Sequence, residues 1–350
     1  PFEEAAILTV DGVGELATTT IAYGKAKDIK ILSELRFPHS PGLLYAAFTY
    51  FLGFKVNSGE YKLMGLSPYG LPDAAQTKLF REKILLTLVD IRNDGSILLN
   101  MDYFDFATGM KMTATSKWES LLGIPRREPE SDILQEHMNL AMAIQQVTEE
   151  IVLALARTAK EMTGSENLVM AGGVALNCVA NSRIADALIF SRIWIQPAAG
   201  DAGGALGAAY AAFHIGMEQE REIVLEEDSM QGAFLGPAYG DADIKRMMNR
   251  YGAVGSFLPD FTALINVVSA YLAAGKVVGW YQDRMEFGPR ALGNRSILAD
   301  PRNADMQRLI NLKIKFREGF RPFAPAVLAE DARHYFDITA ASPYMLFIAS

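Results

Sequence analysis

Two carboxylates in this sequence stand where few other side chains crowd them: Asp11 in DGVGE (11–15) and Asp201 in PAAGDAGGALG (197–207). A carboxylate so placed can ligate a divalent cation, and neighbouring glycines with positive φ can turn their N–H groups into one concavity that suits a phosphate. Both acids also have plain structural uses. Asp-Gly is a common hairpin turn, and an aspartate ahead of a helix is a common N-cap, worth about 1 kcal/mol. A third corner, MAGGVALN (170–177), sets Gly172 and Gly173 between a strand and a helix. Backbone can approach a flat ligand closely there, and the helix start favours an anion. A close-packed turn is the other reading, and the third glycine of a dinucleotide fingerprint is missing. All three corners lie at strand ends, where α/β sheets bind ligands, and that weighs toward a shared site.

Cations collect farther along the chain. FGPRALGNRS (287–296) carries Arg290 and Arg295, and KIKFREGFRPFAP (313–325) carries Lys313, Lys315, Arg317 and Arg321. Arginine suits bidentate recognition of phosphate or carboxylate, while ion pairs with Asp300, Asp305 and Glu318 are the competing use. The four histidines, His39, His137, His214 and His334, include no i, i+4 pair, so a self-contained histidine metal site is not expected. His39 sits in a loop and is the one with a chemical position; His137 falls in a helix. The single cysteine, Cys178, rules out an internal disulfide or a thiolate zinc cage and reads as a small buried apolar residue.

The elements that must hold these residues follow from local pattern. AAILTV (5–10), ELATTTIAYG (15–24) and IKILSEL (29–35) read as a hairpin continuing into a third strand. Ser40-Pro41 opens a helix over 42–52. Gly and Pro density makes 59–75 a surface loop. Apolar residues at three- and four-residue intervals from Leu134 to Leu155 predict one long amphipathic helix within 132–163. A strand at 167–170, a helix at 174–188, a strand at 192–196 and a helix at 204–213 then give a parallel layer with helices packed on it. A charged break at 218–230 reads as a linker, followed by a helix at 261–274 and a strand at 276–281.

With 350 residues, half of them apolar and 21% charged, the chain has the profile of a globular protein long enough for two domains. A net charge of −8 opposes nucleic acid and membrane surfaces as partners. No apolar run reaches the roughly 20 residues of a membrane span, and a reducing cytoplasm is the expected compartment. The start at Pro1, without a methionine and directly before a strand, reads as a piece cut within a domain.

Taken in order, DGVGE, YKLMGLSPYG, AGGVALN, PAAGDAGGALG, MEFGPRALGNRS and KFREGFRPFAP closely resemble the O-carbamoyltransferases of nodulation-factor and antibiotic tailoring. The resemblance runs over nearly the whole chain. It implies an α/β protein of two parts: a ribonuclease-H-like nucleotide-binding domain of the actin, sugar kinase and Hsp70 type over 1–256, then the start of a smaller α/β carbamoyl-adenylate-forming domain over 257–350. Both would be incomplete. It implies that carbamoyl phosphate and ATP give carbamoyl adenylate, whose carbamoyl group passes to a hydroxyl of a sugar or antibiotic scaffold. Carried over residue by residue, Asp11 and Asp201 match two aspartates that ligate a divalent metal, iron in the transferase site, with magnesium accompanying ATP. Gly12, Gly14 and Gly203 match phosphate-loop glycines, and Gly172, Gly173 and Asn177 match an adenosine-binding corner. Lys315, Arg317 and Arg321 match the cluster that holds carbamoyl phosphate and the ATP phosphates, with Arg290 and Arg295 as helpers. The family completes its metal site with a His-x-x-x-His pair ahead of DGVGE, and this sequence contains no such pair. A homodimer is a further expectation.

Three other readings use parts of the same pattern. A kinase of the same fold would use the glycine corners but leave KFREGFRPFAP unexplained. A threonylcarbamoyl transferase acting on tRNA would call for a basic surface. A nucleotide-binding module without turnover is the third.

Overall fold

Apolar side chains on both faces of the first strand place it inside the protein: Ala5, Ala6, Leu8 and Val10 are all buried. The computed structural model describes residues 1–223, 228–338 and 341–349. In it, β1 (Glu4–Val10), β2 (Ala17–Lys25) and β3 (Asp28–Arg36) form the expected antiparallel run. β1 then pairs in parallel with β6, and β6 with β7, giving a five-stranded sheet ordered β3-β2-β1-β6-β7. Between these strands lie a small antiparallel hairpin, β4 (Val89–Ile91) and β5 (Ile97–Leu99), and the chain reaches β6 (Asn167–Ala171) and β7 (Arg192–Ile195) only afterwards. Leu8 sits opposite Met170, and Met170 opposite Ile195. Only β2 runs against the rest, the α/β arrangement expected of a ribonuclease-H-like domain. Its consequence is positional: the carboxyl ends of β1, β6 and β7 come side by side.

Helix α1 (Pro41–Phe51) begins as the sequence indicates. Ser40 caps it, accepting from Leu43 N at 3.0 Å, and its hydroxyl also reaches the Gly12 carbonyl at 2.6 Å, so the helix start is tied to the first glycine turn. The segment 59–75 departs from expectation. It holds α2 (Glu60–Leu66) and a 3-10 turn at Ser67–Tyr69, because Leu63 and Leu66 are fully buried and burial outweighs the local Gly and Pro content. Helices α3 (Ala75–Lys83) and α4 (Thr115–Leu122), which local pattern did not mark, complete this layer. Trp118 of α4 packs edge-on to Phe48 with ring centroids 4.6 Å apart.

The long helix is α5 (Gln135–Thr163), 29 residues and roughly 43 Å at 1.5 Å per residue. It ends at Gly164, whose φ of 65° suits glycine. Leu140, Ile144, Val147 and Ile151 form its buried stripe. The helix expected at 174–188 is instead a 3-10 turn, Gly173–Leu176, followed by α6 (Cys178–Asp186), and α7 (Asp201–Tyr210) follows β7.

The chain divides into two compact units, Pro1–Glu227 with Leu346–Ala349, and Asp228–Met345. In the first, Asn181 Nδ2 donates to the Leu346 carbonyl at 3.0 Å and Ile348 N to Ser182 Oγ at 2.8 Å. The second contains α8 (Asp241–Tyr251), α9 (Phe261–Ala273) and a ribbon of β8 (Val278–Tyr281) with β9 (Arg295–Leu298). Residues 224–227 of the predicted linker lie outside the described residues. No described helix is long and apolar enough to cross a membrane.

If α5 is the platform of the first unit, Ile151→Ala, at a position with no exposed surface, should destabilise it by about 2–5 kcal/mol in urea unfolding. Met162→Ala, on the same helix and 44% exposed, should stay within about 0.5 kcal/mol.

Candidate functional site

The three glycine corners meet. Gly172 N donates to the Ala199 carbonyl at 2.8 Å, and Gly173 N donates to Asp11 Oδ1 at 3.1 Å. Asp11 Oδ1 also accepts from Gly12 N at 2.7 Å. The approach is close enough that a Cβ on Gly172 would stand 2.2 Å from the Val10 carbonyl oxygen, and one on Gly203 2.2 Å from the Ala198 oxygen. Among the corner glycines only Gly172 takes a positive φ, 95°. The DGVG turn therefore does not use left-handed glycines as expected. It closes through Gly14 N to the Ala17 carbonyl and Asp11 N to the Thr18 carbonyl, each 2.9 Å, and a Cβ on Gly12 would meet Leu43 only at 4.0 Å.

Asp201 is not an N-cap. Gly200 holds that position, and Asp201 is the first residue of α7, exposed, in the turn where helix N–H groups carry partial positive charge. Asn177 has partners within the fold. Its Oδ1 accepts from Ala180 N at 3.1 Å, capping α6, and its amide exchanges two 3.1 Å bonds with Gln145 of α5. Gln145 Oε1 takes a further bond from Tyr45 of α1 at 2.9 Å, and Gln145 Nε2 reaches Glu149 at 3.2 Å. Burial pushes the Tyr45 phenol well above its usual range. It also raises the Glu149 carboxyl, against the opposing pull of Gln145 and Arg183. Asn177 thus fixes the corner from beneath through Gln145 and the start of α6. Gln145 is absent from the sequence reading because its partner is distant in the chain.

The residues that the resemblance offers to a metal are two carboxylates, Asp11 and Asp201. The second carboxylate oxygen of Asp11 makes no hydrogen bond among the described residues, and Asp201 is exposed. No group of three or more His, Cys, Asp or Glu is arranged to hold a metal among the described residues. Two carboxylates suit a hard divalent cation and are a poor set for iron by themselves. His39 is used in the fold: its Nδ1 accepts from Leu99 N at 3.1 Å. His137 is buried, its Nδ1 accepting from Leu134 N at 2.9 Å, and burial lowers its basicity. Cys178 is half-buried, with its sulfur 3.9 Å from that of Met64.

In the second unit, each basic stretch is organised by one buried polar side chain. Glu286 Oε1 accepts from Leu292 N at 2.8 Å, Asn294 N at 2.9 Å and Arg295 N at 3.3 Å, while Arg295 Nε reaches Oε2 at 2.5 Å. The loop closes around this carboxylate with Gly288 and Gly293 at φ 124° and 117°. Burial by itself would raise the Glu286 carboxyl, but the Arg295 bond and the backbone donors outweigh it and hold the group at about 2. Arg295 is therefore engaged with an acid outside the three weighed as partners. Arg290 lies half-buried in the same loop. Asp300 pairs instead with Arg302.

Lys315, Arg317 and Arg321 do come together. Burial lowers the Lys315 ammonium below its ordinary range, and the charges of Arg317 and Arg321 push it further; burial and Arg321 likewise lower Arg317. Glu318 offers a partial counter-charge 3.9 Å from Arg321 Nη1. Cations that disfavour one another in a half-buried loop are stabilised by an anion among them.

A family model described as carbamoyltransferase N-terminus matches residues 1–210, and one described as carbamoyltransferase C-terminus matches 269–350. An uncharacterized protein of Synechocystis is 53% identical over 351 aligned positions, covering 100% of this chain and 56% of that protein. Nodulation protein NolNO of Sinorhizobium fredii is 36% identical, over 99% of this chain and 48% of its own length. Nodulation protein NolO of Bradyrhizobium diazoefficiens is 33% identical, over 99% and 60%. The chain thus spans about half the length of the curated relatives it matches.

Gly172→Ala should prevent the corners from meeting and unfold or severely destabilise the first unit, whereas Gly12→Ala should be tolerated, both read from thermal melts. Glu286 has a depressed folded pKa, so its contribution is present above the ordinary value of 4.5 and is lost as pH falls toward about 2. Glu286→Gln should cost about 1–3 kcal/mol at neutral pH and flatten the loss of stability between those two pH values, measured by unfolding at each.

Proposed function

This chain belongs to the carbamoyltransferase family, and from that premise we propose that the protein is an ATP-dependent O-carbamoyltransferase working in two half-reactions. In the first, carbamoyl phosphate, ATP and water give carbamoyl adenylate, inorganic phosphate and pyrophosphate. In the second, a hydroxyl of a small-molecule acceptor, a sugar or antibiotic scaffold, attacks the carbamoyl carbon, and AMP leaves.

The convergence of the corners after β1, β6 and β7 carries this reading. It makes a wall of main chain, free of bulky side chains, against which an adenylate can lie, with its phosphate toward the start of α7. Lys315, Arg317 and Arg321 serve the first half-reaction by binding phosphate oxygens and offsetting the charge that develops as pyrophosphate departs. Asp11 and Asp201 are two oxygen ligands toward a divalent cation, which when bound would polarise the carbamoyl carbonyl; the resemblance assigns its remaining ligands to histidines that this sequence does not contain. The acidic net charge supports small-molecule partners over nucleic acid. The reading puts the reaction in the cytoplasm, where both donors are made, and includes a homodimer.

The test uses the full-length protein with ATP, carbamoyl phosphate and a panel of hydroxyl acceptors. Pyrophosphate and AMP should form in step with carbamoylated acceptor. Lys315→Ala should abolish pyrophosphate release while leaving transfer from supplied carbamoyl adenylate intact. Formation of ADP instead would identify a kinase, and no nucleotide turnover with any acceptor would favour a binding module.

A further inference from the structure

We propose that Asn311 is a positioning residue for the cationic cluster, acting through Arg317 and the backbone of 319–321; this rests on the reading of Lys315, Arg317 and Arg321 as phosphate-binding side chains. Asn311 has no exposed surface. Its Nδ2 donates to the Gly319 carbonyl at 3.1 Å and the Arg321 carbonyl at 2.8 Å, which uses both amide donors. Its Oδ1 accepts from Arg317 Nε at 2.7 Å, and its own carbonyl accepts from Arg317 N at 2.9 Å. The buried side chain therefore holds the loop at Gly319 and Arg321 and grips the Arg317 guanidinium directly.

The loop needs such a grip. Phe316 is held at φ 46°, a left-handed conformation that costs a non-glycine residue energy and persists only when its surroundings impose it. The charges of Arg317 and Arg321 also act against Lys315, and that of Arg321 against Arg317, so the loop holds like charges close together. An apolar residue of similar volume would fill the space beneath the loop but supply neither tether, and a buried amide is tolerated only because its bonds are made. The guanidinium of Arg317 is restrained on a second side by the Phe323 ring, 5.0 Å from its centre. With Nε taken by Asn311, the two terminal nitrogens are the edge left for a ligand. They make no hydrogen bond among the described residues, and they have the spacing for two oxygens of one phosphate. Asn311 thereby converts a flexible arginine into a fixed fork before substrate arrives, and the ordering is not charged against binding.

A double-mutant cycle in the full-length protein tests this, with the two half-reactions measured separately. Asn311→Ala should raise KM for carbamoyl phosphate and ATP in pyrophosphate release by about tenfold or more. It should leave consumption of supplied carbamoyl adenylate unchanged and cost clearly less in an Arg317→Ala background than alone, the remainder coming from the tether to Gly319 and Arg321. Additive losses, equal loss in both half-reactions or an unchanged KM would overturn the proposal. Should Asn311→Ala fail to fold by circular dichroism, Asn311→Leu, which fills the space beneath the loop and supplies neither tether, carries the same cycle to the same expectation. If Arg317→Ala itself leaves pyrophosphate release untouched, the phosphate-binding reading fails and this inference with it. If Arg317→Ala impairs that step and Asn311→Ala does not, only the positioning role is wrong.

Discussion

Asp11 Oδ1 accepts two backbone N–H groups, one from its own turn and one from Gly173 across the sheet. That shared acceptor, with the near-contact of Gly172 against Val10, clamps the ends of β1 and β6 together. Much else is arranged around this clamp. Ser40 ties the start of α1 to the same turn, Gly172 passes the connection on to Ala199 and so to the start of α7, and the Gln145–Asn177 amide pair holds the corner onto α5 from below. A residue with a side chain at 172 has no place in this arrangement, so the geometry of three loops depends on one missing Cβ.

The second unit solves a related problem with different means. The buried apolar residues among its described ones are Met230, Ala233, Met306, Ile310 and Tyr344. Beside them Glu286 and Asn311 order the loops, each buried and each satisfying several donors or acceptors at once. A buried polar group is costly when its bonds are unmade and strongly directive when they are all made. Both stretches of cations are thereby given defined shapes.

Much of the first unit was legible locally. Alternation marked β1 to β3, Ser40-Pro41 marked the start of α1, and three-four spacing marked α5, because each signal lies within a few residues of what it specifies. The helix α2 was not legible, since Gly65, Pro68 and Gly70 weigh against a helix in any local window, while the burial that forms it is tertiary. The site divides the same way. Glycines at strand ends announced the corners, but the role of Asn177 turns on Gln145, which nothing near it in sequence names. Glu286 carried a faint sign, an acid inside a run of arginines and glycines. Asn311 sits in the apolar stretch LINLKI, where its burial invites notice only once its partners are known.

The wall built by the Asp11, Gly172 and Ala199 corners consists of main-chain atoms. Backbone amides distinguish an anion from a neutral group but not one neighbouring molecule from another, since every residue offers the same N–H. Such a surface is generic by construction. Proteins that share it can diverge widely in what they modify without altering it, and the choice of acceptor has to be written in side chains elsewhere.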